Sequence, residues 1–212
     1  MLCRMSFIRQ YHYDVRSYEC DQHHRLKPYV VMNYFEDAAW RHAEEYGFGH
    51  RALAERESMW VMSRVNVEFE SYPTWGERIA FETWPRGLSG PFALRHFRLL
   101  GAEGTAVAGT SSWLIIDREQ KRPKRPTEFF SQETLDGMPD VDATPNPPRR
   151  IAPQEGQEEH SRFTPDYTSL DVNGHVNNAE FVRWALDAVS WERLSRYPVS
   201  RMEVNFLSEV NP

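Results

Sequence analysis

The spacing of apolar and polar positions predicts a strand, a helix and then a run of strands. Residues 33–46 carry apolar side chains at helical spacing, between a capping Asn33 and a stopping Gly47, and predict an amphipathic helix. Residues 11–18 alternate before it and predict a strand. After the helix the period changes to two, which predicts an antiparallel meander. Its four strands are predicted at residues 60–69, 77–84, 92–100 and 105–116.

The same order of elements returns near the C-terminal end. The proline-rich residues 137–158 predict a linker. Residues 160–167 are then predicted to form a strand, a helix is predicted to follow Asn177 and Asn178 and to run through about Arg196, and residues 199–206 are predicted to form another strand. Helices and antiparallel strands in this arrangement define an α+β chain.

An internal repeat relates the two halves. Asp21 corresponds to Asp171 at an offset of 150 (171 − 21), and Phe69 corresponds to Phe206 at an offset of 137 (206 − 69). A repeat of this length indicates duplicated domains rather than a solenoid of short units. The first copy continues for roughly 40 residues beyond the point that matches Pro212, so we expect the second copy to be truncated.

Composition and charge narrow the class of protein. The chain has 212 residues, of which 40% are hydrophobic, and a net charge of −6, which is typical of a globular protein and argues against a broad nucleic-acid interface. No apolar run approaches the ~18 residues of a membrane span, so membrane insertion is not expected. The opening residues 1–10 lack a secretory apolar core. With only Cys3 and Cys20, a cytoplasmic location is predicted.

The segment with the richest chemistry is LDVNGHVNN, residues 170–178, between a predicted strand and a helix. A helix N-terminus presents unpaired backbone N–H groups, which can hold a developing oxyanion. Asp171, Asn173 and His175 alternate beside it. The structural alternative is an Asx-rich turn that merely caps the helix.

This segment resembles the signature of the acyl-ACP thioesterases, Asp-x-Asn-x-His-Val-Asn-Asn followed by an aromatic residue and a Trp, here Phe181 and Trp184. Residues 111–126, with a Ser, a Trp, an aliphatic run and a basic turn, resemble a second stretch of that family. The resemblance spans about residues 9–212 and implies two tandem hotdog domains, each a long helix wrapped by an antiparallel sheet. These are an N-terminal domain at 1–136 that forms the acyl-chain pocket, the linker at 137–158, and an incomplete catalytic domain at 159–212.

The resemblance also implies the catalytic residues, which are Asp171, Asn173, His175 and Glu209. Glu209 fits the family's frame of an aliphatic residue, an acid or amide, an aromatic residue, two variable residues and Glu, here residues 204–209. Plant members carry a Cys after this Glu, whereas Val210 stands here, so a cysteine nucleophile at that place is excluded. The thioester oxygen is expected at the helix start, near Val176 and Asn177.

Only the second copy carries this motif. His23 and Arg25 stand in the first copy where Asn173 and His175 stand in the second. The resemblance therefore implies one active site in the C-terminal half, with a pocket shaped by the N-terminal half.

The implied activity is hydrolysis of acyl-ACP to free fatty acid and holo-ACP, which ends fatty-acid synthesis. Either Asp171 or Glu209 would activate a water or attack the carbonyl directly. The sequence leaves two alternatives open, an acyl-CoA thioesterase of the same fold and a non-catalytic acyl-binding module.

The partner suggested by charge is the acidic acyl carrier protein. A basic cluster could steer it to the chain, or could be a solvated loop. Its residues are Lys121, Arg122, Lys124 and Arg125. No nucleotide loop or zinc motif occurs, so no cofactor and no metal are predicted. The sequence is compatible with a monomer or a homodimer.

Overall fold

The computed structural model describes residues 7–152 and 161–210. Seven strands form one antiparallel sheet: β1 (Arg9–Asp14), β2 (Ser58–Phe69), β3 (Arg78–Ser89), β4 (Phe92–Gly101), β5 (Gly104–Asp117), β6 (Pro123–Lys124) and β7 (Arg201–Asn205). The α-helices are α1 (Pro28–Glu45), α2 (His50–Ala54), α3 (Gln132–Gly137), α4 (Asn178–Asp187) and α5 (Trp191–Arg196). Short 3-10 turns occupy Ser17–Glu19, Pro126–Glu128 and Tyr167–Ser169. Within these ranges no helix has the length and hydropathy to cross a bilayer.

The sheet joins the two halves of the chain. Its order is β1-β3-β4-β5-β2-β7, with β6 paired to β5. The four predicted strands exist, but they do not form the simple meander that we predicted, because β2 pairs with β5 and not with its successor β3. The free edge of β2 is therefore open to β7, and Val65 lies opposite Val204.

Helix α1 packs its apolar side on this sheet. Val31, Met32 and Phe35 are fully buried, and the Phe35 ring stacks on Phe97 with centroids 4.1 Å apart. The helix begins at Pro28 and not at the predicted cap Asn33. Proline suits the first helical position, because it needs no hydrogen-bond acceptor for an N–H and its φ is already helical.

Two predictions about the second half are corrected. Residues 161–166 form no strand, and His160 lies outside the described residues. The helix predicted through 196 is broken after Asp187, because the side chain of Ser190 accepts a hydrogen bond from the amide of Arg193 and starts a new helix, α5. Serine side chains favour such caps over helix interiors.

The described part of the predicted linker, residues 137–152, begins at the last residue of α3 and is attached to the sheet. The indole Nε1 of Trp84 donates to the carbonyl of Val141 at 2.9 Å, and the amide of Ala143 donates to Nδ1 of His96 at 2.9 Å. Each of these hydrogen bonds uses an almost fully buried side chain of the sheet, Trp84 on β3 and His96 on β4. This segment therefore contributes to the fold; the rest of the predicted linker lies outside the described residues.

Candidate active site

The loop before α4 is a tight turn organised by Asp171. The main chain closes it, with the amide of Asp171 donating to the carbonyl of His175 at 2.8 Å. Asp171 Oδ1 accepts from the amides of Asn173 (2.8 Å) and His175 (3.2 Å), and Oδ2 lies 3.3 Å from the Asn173 amide nitrogen Nδ2. Gly174 has φ of +78°, a conformation that glycine adopts without strain. The loop's own geometry thus brings these predicted residues together.

The first copy builds the same turn with different chemistry. Asp21 Oδ1 accepts from the amides of His23 (2.8 Å) and Arg25 (2.9 Å), and the amide of Asp21 donates to the carbonyl of Arg25 at 2.8 Å. In this copy, however, the guanidinium of Arg25 pairs with Asp21 Oδ2 at 2.8 Å. The turn itself is therefore a property of the fold, and what distinguishes the second copy is the set of side chains around it.

Glu209 approaches this loop from beyond the end of β7. Its Oε2 lies 3.4 Å from Nε2 of His175 and 3.1 Å from Nζ of Lys121. The structure thus brings the four predicted catalytic residues to one place. It also brings in Lys121, which we predicted as a docking residue and whose exposed side chain contacts Glu209.

The amides predicted to hold the oxyanion are used by the fold. The amide of Val176 donates to the carbonyl of Val210 at 3.0 Å, and that of Asn177 donates to the carbonyl of Ser169 at 2.9 Å. A thioester oxygen would have to displace those acceptors, so this prediction needs correction. Asn178 is the first residue of α4, and its amide has no intrahelical acceptor.

Glu36 of α1 is a polar residue of this site that the sequence analysis missed. Its Oε1 accepts a hydrogen bond from Nδ2 of Asn178 at 2.8 Å. Burial, opposed by the hydrogen bond from Asn178 and assisted by the charge of Asp171, raises the pKa of Glu36 to about 7. The internal repeat was the one signal available in the sequence. The matching position of the second copy holds the apolar Leu186 (186 − 36 = 150), so the acid at position 36 departs from the repeat.

A cavity of about 1130 Å³ connects these groups with an apolar wall. Its polar lining includes Glu36, Asp171, Asn173, His175, Asn178 and Glu209. Its apolar lining comes mainly from the first half of the chain and includes Met59, Trp60, Leu88, Ala93, Phe130 and Met138. Polar groups at one place and an extended apolar surface suit a ligand with a reactive polar group and a hydrocarbon chain.

The rest of the basic cluster divides by its contacts. Lys124 is turned into the fold, where its Nζ pairs with Asp117 at 3.1 Å and donates to Ser58 Oγ at 2.9 Å. The side chains of Arg122 and Arg125 are exposed. Across residues 7–152 and 161–210, no group of three or more His, Cys, Asp or Glu side chains is arranged to hold a metal ion.

A long helix packed on an antiparallel sheet, with the same turn built twice along the chain, defines a duplicated α+β fold. The profile of the acyl-ACP thioesterase N-terminal domain matches residues 7–133, and that of the acyl-ACP thioesterase C-terminal domain matches residues 152–212. The chain therefore belongs to the acyl-ACP thioesterase family.

Curated relatives agree with this assignment. The chain is 27% identical to a chloroplastic dodecanoyl-[acyl-carrier-protein] hydrolase of Cinnamomum camphora, over 92% of this chain and 54% of that protein. It is 24% identical to oleoyl-acyl carrier protein thioesterase 1, chloroplastic, of Arabidopsis thaliana, over 92% of this chain and 58% of that protein. The chain thus spans about half the length of the curated relatives it matches.

Two solved structures share the fold. An acyl-ACP thioesterase from Bacteroides thetaiotaomicron superposes with a TM-score of 0.89 at 24% identity, covering 99% of this chain and 85% of that one. The 12:0-ACP thioesterase from Umbellularia californica superposes with a TM-score of 0.83 at 24% identity, covering 97% and 79%. The predicted α+β fold of the hotdog type is confirmed.

Proposed function

We propose that this chain hydrolyses acyl-ACP to free fatty acid and holo-ACP. The observation that carries the proposal is the meeting of His175 and Glu209 beside the Asp171 turn, where a large apolar cavity ends in polar groups. Membership of the acyl-ACP thioesterase family and the names of the curated relatives support the substrate class.

We further propose His175 and Glu209 as the pair that activates water. Both carboxylate oxygens of Asp171 are held by the turn, so Asp171 is placed to stabilise charge rather than to move protons. Glu209 instead faces Nε2 of His175. A carboxylate at this position stabilises the imidazolium that forms when the ring takes a proton. Asn173 fixes the orientation of the loop.

The chemical step then runs in two stages. A water gives a proton to Nδ1 of His175, the ring nitrogen that does not face Glu209, and the water oxygen bonds to the thioester carbon, while the carbonyl oxygen takes the negative charge. The backbone amide of Asn178, at the positive end of α4, is the donor placed to hold that oxyanion. The tetrahedral intermediate collapses, the C–S bond breaks, and the proton on His175 passes to the departing sulfur of the carrier.

Division of labour between the halves is part of the proposal. Residues 1–136 would form the N-terminal domain that shapes the acyl pocket, and residues 159–212 the catalytic domain, with 137–158 between them. The apolar lining at Trp60, Leu88 and Phe130 supports an acyl site in the first half. The exposed Arg122 and Arg125, next to the cavity residue Lys121, are proposed to meet the acidic carrier protein.

We also propose the cytoplasm as the place of this reaction. The buried free thiol of Cys20 fits a reducing compartment. Localisation of the tagged full-length chain by fractionation tests this proposal, and recovery from a membrane or oxidising compartment would contradict it.

The test of the function is release of free fatty acid from a panel of acyl-ACPs and the matching acyl-CoAs. We expect turnover of acyl-ACP that is lost in His175→Ala and that weakens with added salt, because carrier docking relies on charge. Turnover of acyl-CoA alone would reassign the carrier. Binding of acyl chains without turnover by a folded protein would identify an acyl-binding module instead.

A further inference from the structure

The contact between Glu36 and Asn178 joins the two halves of the chain at the site. Glu36 lies on α1, the long helix of the first half, and Asn178 is the first residue of α4 in the second half. Their side chains meet at 2.8 Å between Oε1 and Nδ2, and both line the cavity that holds Asp171 and His175. This hydrogen bond fixes the residue whose amide faces the proposed oxyanion position.

The duplicated chain contains its own comparison for this contact. At the offset of 150, Asn178 corresponds to Pro28 (178 − 28) and Glu36 corresponds to Leu186 (186 − 36). Both residues of that second pair lie beside the first-copy turn, at the edge of a smaller pocket. Proline has no backbone N–H, so the first copy lacks the helix-start donor, and leucine offers no acceptor.

The polar pair is therefore present where the His175–Glu209 contact exists and is replaced by an apolar pair where Arg25 neutralises the turn. If the contact only joined the two helices, the polar pair and the apolar pair would serve equally well, because each helix follows a turn of the same kind. The coincidence of the pair with the reactive side chains points to a role in the reaction.

The surroundings of Glu36 favour its uncharged form. Negative charge comes from Asp171 on the loop before α4, and burial in the cavity removes water from the carboxyl group. The other titratable groups that line the same cavity are Asp37 and His42 of α1, Tyr46 just after α1, His50 of α2, Arg95 of β4, Lys121 after β5, and His175 and Glu209. A second carboxylate charge at this place would oppose the negative charge that develops on the thioester oxygen.

We propose that Glu36 is a positioning residue of the thioesterase site, which holds Asn178 at the start of α4 and acts in its uncharged carboxylic acid form. The inference rests on the proposed function and deepens it. Its consequence is an alkaline limb in the pH–rate profile. Since the pKa of Glu36 is raised to about 7, the charged form grows above neutral pH and kcat falls.

The experiment compares three variants with the wild-type chain in acyl-ACP hydrolysis between about pH 5.5 and 8.5. Glu36→Gln keeps the acceptor for Asn178 and carries no charge. Glu36→Leu installs the residue of the matching position in the other copy. Glu45→Gln makes the same chemical change on the same helix, at a side chain that binds Arg9 outside the cavity, and serves as the matched control.

We expect Glu36→Gln to keep kcat within about threefold of the wild type at pH 6 and to lose the alkaline limb. Glu36→Leu should lower kcat about 10- to 100-fold with a smaller change in KM, because the oxyanion donor is misplaced. Glu45→Gln should retain both the rate and the limb.

An unchanged alkaline limb in Glu36→Gln, or a wild-type kcat in Glu36→Leu, would overturn the inference while leaving the thioesterase assignment intact. Absence of acyl-ACP turnover by the wild-type chain would overturn the proposed function itself, and this inference with it. Glu36→Gln is close in size to the native residue, so the test remains decisive if Glu36→Leu fails to fold.

Discussion

Nε2 of His175 lies 3.4 Å from Oε2 of Glu209, and the same oxygen is 3.1 Å from the ammonium of Lys121. The carboxylate thus stands between an imidazole that can accept a proton and a fixed positive charge. The ammonium of Lys121 offsets the negative charge of Glu209 beside the ring. A carboxylate in this position stabilises positive charge on the imidazole.

Replacement of Glu209 tests that relationship. We expect Glu209→Gln to lower kcat about 100-fold or more, since a neutral amide cannot stabilise the imidazolium. Glu203→Gln, on β7 and paired with Arg201, is the control with the same change. Fatty-acid release from acyl-ACP is the measurement. Equal rates for the two variants would remove Glu209 from the reaction.

The two turns allow a matched test of Asp171. Asp171→Asn keeps an oxygen for the two amide donors and removes the charge, so we expect a folded protein with Tm within ~2 °C of the wild type and little activity. Asp21→Asn makes the same change in the other copy. It should lose only the Arg25 ion pair, worth about 0–1 kcal/mol, and retain activity. Full activity in a folded Asp171→Asn protein would show that the charge of Asp171 is not needed for the reaction.

Stability at acid pH should depend on His42. Its Nε2 donates to the carbonyl of Phe7 at 3.0 Å, and its Nδ1 lies 3.3 Å from the Arg95 guanidinium. Burial, together with the charge of Arg95, lowers the pKa of His42 to about 3. Between about pH 6.5 and pH 3, His42 is therefore protonated in the unfolded chain but not in the folded chain. The stability of the folded state falls as pH falls through this range.

The slope for such a histidine is at most about 1.4 kcal/mol per pH unit. Urea unfolding of His42→Gln across this range should show a smaller loss of stability with falling pH than the wild type. Parallel stability curves for His42→Gln and the wild type would contradict this role of His42.

Glu36 affects stability in the opposite sense. Its raised pKa favours the folded state at low pH, and this contribution disappears as pH rises from 4.5 towards about 7.

Close packing of α1 on the sheet predicts the effect of one added methyl group. A Cβ at Gly109 of β5 would lie 2.3 Å from Cε2 of Phe35, which is fully buried. Gly109→Ala should therefore destabilise the protein by about 1–3 kcal/mol through overpacking. Adding Phe35→Leu should recover part of this loss in chemical denaturation. If the double variant is less stable than the sum of both single changes, the steric explanation fails.

Local signals in the sequence predicted much of the fold but not its pairing. The apolar pattern of the sequence located β2, β4 and β5 to within two residues at each end. The start of α1 was misplaced because Val30, Val31 and Met32 are all buried, so the run before Asn33 lacks an amphipathic period. Alternation also says nothing about which edge of β2 finds which partner.

The candidate site was predictable where it forms a local motif. Asp171, Asn173 and His175 belong to one turn, so their proximity follows from the sequence. Glu36 does not, because a single acid on a helix has no pattern, and only tertiary packing brings it to Asn178. The use of the Val176 and Asn177 amides was likewise hidden, since their acceptors come from distant carbonyls or from the preceding 3-10 turn.

Strand β2 is hydrogen-bonded on both edges, to β5 of its own half and to β7 of the other. The two halves consequently cannot rotate apart as hinged lobes without breaking a ladder of main-chain hydrogen bonds. The width of the proposed acyl cavity is then set by a shared wall and by the side chains that line it, not by opening and closing of domains. Residues of that wall such as Trp60 and Met62 would then determine which acyl chain lengths fit. Single substitutions there would change the chain-length preference without any change in interdomain geometry.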